Sequence, residues 1–419
     1  MLARYSIVWY ALITLVMLAQ TSESAYSLDK GYNSLLPPSL VHLISLARWG
    51  AWIVFILDGI AANVRMKQLT KYHMRFLAFY AIFFLSALID LGDPRKAIVL
   101  NSFFRYVGLW AIAFVVPLQL ESYIKTKGLD ATLRLLLYSV ILLTLVGVAA
   151  TLRATGFNLR YTGWVDNPNS FVLINVFFIT IAAANYIYRS AKPSILIPTL
   201  LFLVFTQLAA GSRQGFLGLL VVFFVYFARS GQNIKQAAIL GFFMAAGLAL
   251  FIYFGPKQAD RIFEYNEETL VEHDTGRLAY WESLMPHIEE KWLIGWGVNG
   301  REFLGRGNSH NMYLTLMLFF GIPGGVLVGC YFIFCCLSGI FLNSDRSPTT
   351  NVSLLFSGYL CSVFITMAFE DTIFGIGSPW TLQIVLAIGI VNALSQPGVV
   401  RSLREIEMQR ALSSAVRAR

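Results

Sequence analysis

The sequence predicts an all-α polytopic membrane protein with about twelve transmembrane helices, and three observations carry that prediction. The chain has 419 residues, of which 57% are hydrophobic and 13% charged, with a mean hydropathy of +0.64. A soluble domain of that size would carry roughly twice that charged fraction. Apolar runs of about 17 to 25 residues, each long enough to cross a bilayer as a helix, recur along the whole chain. Lys and Arg collect in every second connection, as the positive-inside rule requires of a multi-pass protein.

In chain order the spans fall at 5–20, 39–63, 76–91, 97–120, 134–152, 171–188, 194–210, 215–228, 237–254, 311–342, 352–369 and 380–395. The first run is short enough to resemble a secretory leader but lacks a convincing small-residue cleavage site, so it reads as a helix. The tenth is too long for one simple crossing, and Gly321-Ile-Pro-Gly324 predicts a half-helix or a kink before the main span. The chain then divides into helices one to nine (1–254), a long loop with amphipathic helices (255–310), helices ten to twelve (311–395) and a basic tail (396–419). The tail reads as a solvated or membrane-surface helix. Cys330, Cys335, Cys336 and Cys361 lie inside apolar runs without metal-ligand spacing, as small packing residues do.

One set of connections holds Arg4, the cluster Arg65 to Arg75, Lys125, Lys127, Arg134, Arg189, Lys192, Arg229, Lys235, Arg346 and the arginines of the tail. With the long loop discounted, that set carries about three basic residues for each one opposite, which makes both termini cytoplasmic and the 255–310 loop outward-facing. The net charge of +9 is mostly this signature plus a tail near anionic lipid. No basic face with stacking aromatics appears outside the spans, so nucleic acid is not an expected partner.

Most of the chemically capable residues fall on the outward side. His310 stands where a long polar segment meets an apolar one, and with Asn308 or Ser309 as the expected N-cap it would lie in the first turn of a helix. The positive end of the helix dipole disfavours imidazolium, leaving a neutral ring suited to take a proton from a hydroxyl. Arg213 lies in the short turn Gly211-Ser-Arg-Gln-Gly215, where glycines let backbone amides and a guanidinium approach an anion together. Arg277 precedes an amphipathic stretch, Leu278 to Ile288, that reads as a helix lying on the membrane. Arg160 stands beside Tyr161 and Gly163. Taken singly each has a plainer reading: an interfacial histidine held for structure, a snorkelling arginine, or a guanidinium paired with a loop carboxylate. Together, one base and three arginines suit sugar transfer from a lipid-linked pyrophosphate, because the leaving group gains charge while the acceptor hydroxyl loses a proton.

The segment His310-Asn311, nine residues, Gly321, two residues, Gly324 resembles the signature of the O-antigen ligase and O-antigen polymerase superfamily. Ser212-Arg213, Gly276-Arg277, and Arg160 to Gly163 leading to Pro168-Asn169 resemble further motifs of that family. The resemblance implies a GT-C-type architecture and metal-independent, inverting transfer without a cofactor. Its donor would be a glycan on undecaprenyl diphosphate, used at the periplasmic face of the inner membrane. His310 would be the base, Arg213 and Arg277 would grip the pyrophosphate with Arg160 as a third, and Asn311 and Ser212 would support them. Arg48 and Arg105 are intramembrane charges that could touch the donor or pair with a carboxylate such as Asp90.

A ligase with a lipid A core acceptor is preferred over a polymerase, which would use the same donor site with a lipid-linked glycan as acceptor and could recruit a chain-length regulator. A metal-dependent site at Glu370-Asp371 lacks defensible ligand spacing. A lipid-linked glycan transporter would also need interior arginines, but the chain shows no internal repeat and carries a long outer loop.

Overall fold

The computed structural model describes residues 116–154, 168–230, 277–297, 311–341, 347–368, 381–396 and 398–403, together with Val54, Leu57, Glu405 and Met408. The helices are α1 (Val116–Lys127), α2 (Leu129–Ala154), α3 (Pro168–Tyr188), α4 (Pro193–Ala209), α5 (Arg213–Ser230), α6 (Arg277–Glu290), α7 (Met312–Phe341), α8 (Pro348–Thr366) and α9 (Thr381–Leu394). All regular structure among the described residues is helical. Helices α2, α3, α7 and α8 are long and apolar enough to cross a membrane, and α4, α5 and α9 are shorter apolar helices. These seven coincide with spans expected from the sequence. The spans at 5–20, 76–91 and 237–254 lie outside the described residues, 39–63 is described only at Val54 and Leu57, and 97–120 only from Val116.

Helix α8 is the centre of the bundle, packing against α3, α5, α7 and α9. Lipid tails are as apolar as leucine, so helices associate where small residues let backbones approach. A Cβ on Gly358 of α8 would come within 2.7 Å of the Val222 carbonyl oxygen of α5, and one on Gly218 within 2.8 Å of Ser362 Oγ. A Cβ on Gly339 of α7 would strike Ser357 Oγ and come within 3.0 Å of Ser353 Oγ of α8. Aromatic rings fill the third side, with Phe177 of α3 centred 6.1 Å from Phe356 and 5.0 Å from Tyr359.

Two short turns define the ends of the bundle. Residues 189–192 join α3 to α4, and residues 210–212 join α4 to α5. The starts of α3 and α5 therefore share one end, the motif end. At the opposite end Asn185 Nδ2 of α3 donates to Leu133 O near the start of α2 at 2.9 Å, and Arg229 Nη2 of α5 donates to Ile340 O near the close of α7 at 3.2 Å. Lys125, Lys127, Arg134, Arg189, Lys192 and Arg229, grouped by the sequence in one set of connections, all belong to this basic end. There Gln396 Nε2 donates to Glu121 Oε2 at 2.8 Å, while Lys125 Nζ meets Glu121 Oε1 at 2.5 Å. Beyond Gln396 the tail is described only at 398–403, Glu405 and Met408, where a helical turn buries Val399 and Leu403 and exposes Arg401, because residues at i and i+4 share one helical face.

The expected break in the tenth span is present. Gly321 has φ 71° and ψ 173°, outside helical values. At about 1.5 Å per residue a straight α7 would be about 45 Å long and α8 about 28 Å. Yet Met312 N at the start of α7 donates to Met367 O just past the end of α8 at 2.8 Å, so the first third of α7 turns away from the line of the rest. The remainder, 322–341, is about 30 Å long, close to the thickness of a hydrocarbon core.

Candidate functional site

The last residues of α8 gather the motif end. Phe364 O accepts from Tyr313 Oη of α7, Thr366 O accepts from Gln214 Nε2 of α5 at 3.2 Å, and Met367 O accepts from Met312 N. A helix leaves its final carbonyls without intrahelical donors. Here side chains and backbone from two neighbouring helix starts supply them. The starts of α5 and α7, far apart in sequence, are thus fixed to three carbonyls, of Phe364, Thr366 and Met367, at the end of α8.

Each start departs in detail from the sequence reading. The glycine-flanked turn is shorter than expected: Arg213 is the first residue of α5, so only 210–212 form the turn, and Gly211 adopts φ 59°. Ser212 is buried, and its carbonyl accepts from Phe216 N at 3.2 Å, as the residue before a helix does. At α7 the cap is Asn311, neither Asn308 nor Ser309. Asn311 Oδ1 accepts from Tyr313 N at 3.0 Å and from Leu314 N at 3.2 Å, and its carbonyl accepts from Thr315 N. The first turn of α7 therefore begins at Met312, because the asparagine side chain satisfies the leading amides.

Behind the Ser212-Arg213 turn lies a buried amide pair. Asn175 Nδ2 of α3 donates to Leu203 O at 2.8 Å and to Gln207 Oε1 of α4 at 2.9 Å. Gly215 closes against this pair, since a Cβ there would strike Gln207 Nε2 and Val172 Cβ. Its missing side chain serves packing of the first turn of α5 on α3 and α4. Asn175 and Gln207 escaped the sequence reading, although two long amides inside apolar spans are a detectable signal.

Arg277 is the first residue of α6, whose Leu284 and Ile288 are buried where the helix packs on α7, while Met285 is exposed. The chain after α6 then binds the break in α7. Pro323 has no N–H for Phe319 O, and Ile322 N donates outward to Trp292 O at 2.7 Å, which frees Leu318 O. Trp296 N and Gly297 N take these two carbonyls at 2.8 and 3.0 Å. Trp296 Nε1 returns to His287 O at 2.8 Å, and Lys291 Nζ sits 3.8 Å over the indole ring. The Gly295-Trp-Gly297 run is the joint between loop and half-helix.

The structure thus brings together Ser212, the backbone of Arg213, Asn311 and the Pro168-Asn169 start of α3 at one end, and ties α6 to α7 beside them. His310, Arg160, Arg105, Arg48, Glu370 and Asp371 lie outside the described residues. Residues 198–329 match the O-antigen ligase family model. The match places this segment in the O-antigen ligase and polymerase superfamily. It begins inside α4 and ends inside α7, so it contains Ser212, Arg213, Arg277, His310, Asn311 and the Gly321–Gly324 break, whereas Arg48, Arg105 and Arg160 precede it. No curated protein matches the chain. The O-antigen ligase-family segment is therefore the part of a multi-pass helical membrane protein in which the starts of α5 and α7 meet.

Proposed function

We propose that the protein is a metal-independent, inverting glycosyl transferase of the O-antigen ligase type. It moves a glycan from undecaprenyl diphosphate to an acceptor sugar hydroxyl of the lipid A core at the periplasmic face of the inner membrane, with both termini cytoplasmic. One observation carries the reading: the family-matched segment holds both Ser212-Arg213 and His310-Asn311, and α8 fixes the two helix starts that follow them side by side.

The arrangement suits an anionic leaving group. Helices α3, α5 and α7 all begin at the motif end, so the positive ends of their dipoles gather there, the leading amides of α7 being bound by Asn311 and Met367 and the last carbonyls of α8 being occupied. Each such end favours an anion by roughly 0.3–1 kcal/mol. Arg213 and Arg277, with Arg160, hold the pyrophosphate and stabilise the charge that grows as the glycosidic oxygen leaves. His310, just outside the α7 cap, takes the acceptor proton as the hydroxyl attacks the opposite face of the anomeric carbon. Ser212 and Asn311 set the two helix starts.

Purified protein given a lipid-pyrophosphate glycan and acceptor tests this. Turnover persists with a chelator and falls by about a hundred- to ten-thousandfold in His310→Ala, the range a general base supplies. Undiminished turnover in that variant overturns the mechanism. A polymerase would share the donor site, and a deletion strain separates the two: polymer lost from lipid A and accumulating on the lipid carrier identifies a ligase, whereas lipid A capped by single repeats identifies a polymerase.

A further inference from the structure

The joint between α6 and α7 carries three consecutive exposed apolar side chains, Trp292, Leu293 and Ile294, with relative exposures of 54%, 57% and 42%. Their outward display is fixed by the backbone. Trp292 O accepts from Ile322 N, Gly295 N donates to Lys291 O at 2.8 Å, and Trp296 N and Gly297 N are bound to α7. A Cβ at Gly295 would strike Phe319 O, so the elbow lies directly on the helix backbone.

The same side of α7 continues the patch. Ile322, Val326, Ile333, Phe334, Leu337 and Phe341 are all exposed, and at 100° per residue they fall within about a third of the helix circumference. A span of this length and composition would turn such a stripe to lipid. The elbow extends it at the first turn after Gly321, where a 322–341 span of about 30 Å reaches the edge of the hydrocarbon. Tryptophan is enriched at that depth. A contiguous apolar patch in an otherwise polar loop marks a surface that water does not cover.

We infer that Trp292, Leu293 and Ile294 form an interfacial anchor inserted into the bilayer beside α7, with lipid acyl chains as its partner, which holds the loop helix α6 at a fixed depth. Insertion of the elbow does not depend on the transfer reaction.

Leu293→Cys and Ile294→Cys, each in the full chain with Cys330, Cys335, Cys336 and Cys361 replaced by Ala, are labelled with bimane and reconstituted in phosphatidylcholine vesicles. Blue-shifted emission, quenched several-fold more by a doxyl group high on the acyl chain than by one near its end, is the expected result. Red-shifted, unquenched emission would place the elbow in water, and blue-shifted but unquenched emission would place it under protein, either another segment or a second copy. Both overturn the anchor. In the protein with its own cysteines, Trp292→Phe removes a component of the tryptophan emission that lipids brominated high on the acyl chain quench. An unchanged quenchable fraction overturns it as well.

Discussion

Asn311 and Gly215 set the two helix starts at the candidate site, each by a different physical route. Asn311 Oδ1 satisfies the leading amides of α7, and an Asn-to-Ala change at such a cap costs about 0.5–2 kcal/mol. We expect Asn311→Ala to lower thermal stability in detergent and to reduce turnover, and Asn311→Asp to restore stability, as measured by thermal unfolding and a donor-consumption assay. If Asn311→Asp is as unstable as Asn311→Ala, the cap is not the source. Gly215 acts by what it lacks. Overpacking it against Gln207 and Val172 costs about 1–3 kcal/mol and moves the first turn of α5. Gly215→Ala is expected to raise the KM for the lipid-linked donor more than it lowers kcat, whereas a change in stability with no change in KM would separate this contact from donor binding.

At the scale of elements, the break in α7 is an exchange of hydrogen-bond partners. Gly321 reaches its positive φ without a Cβ penalty, Pro323 withholds an amide, and two carbonyls turn to Trp296 and Gly297. Pro323→Ala returns an N–H that competes for Phe319 O. Amide hydrogen exchange at Gly297 should then speed up while the core amides of α8 stay protected, and unaltered exchange at Gly297 would show that the joint rests on Gly321 alone. The sequence exposed the break and the amphipathic face of α6, because glycine, proline and helical periodicity are local properties. It left the joint itself hidden, since the donors at 296–297 and the acceptors at 318–319 meet only through the fold. Asn311 caps α7 in place of Asn308 or Ser309 for a related reason, since neighbouring polar side chains along a sequence are equally able to cap.

Across the whole molecule the two ends do different work. The motif end collects the starts of α3, α5 and α7, while the basic end locks α1 to the close of α9 through Glu121, Lys125 and Gln396. Glu121 is almost fully buried, and removing a partner from a buried polar group costs about 1–3 kcal/mol. Gln396→Ala should therefore lower the unfolding temperature and leave the donor KM unchanged, since the lock lies at the opposite end from the candidate site. A raised KM would show that the two ends are coupled.

Composition and periodicity by themselves determined that this chain is a multi-pass helical membrane protein, because burial in lipid demands long apolar helices whatever their neighbours. Motif spacing likewise pointed to the superfamily that residues 198–329 match. Only the tertiary structure decided that α8 seats the starts of α5 and α7 together, that Asn175 and Gln207 back the Arg213 turn, and that the loop after α6 completes the broken helix. Those contacts join residues distant in sequence through backbone carbonyls and small-residue packing, and neither leaves a pattern that can be read along a single chain.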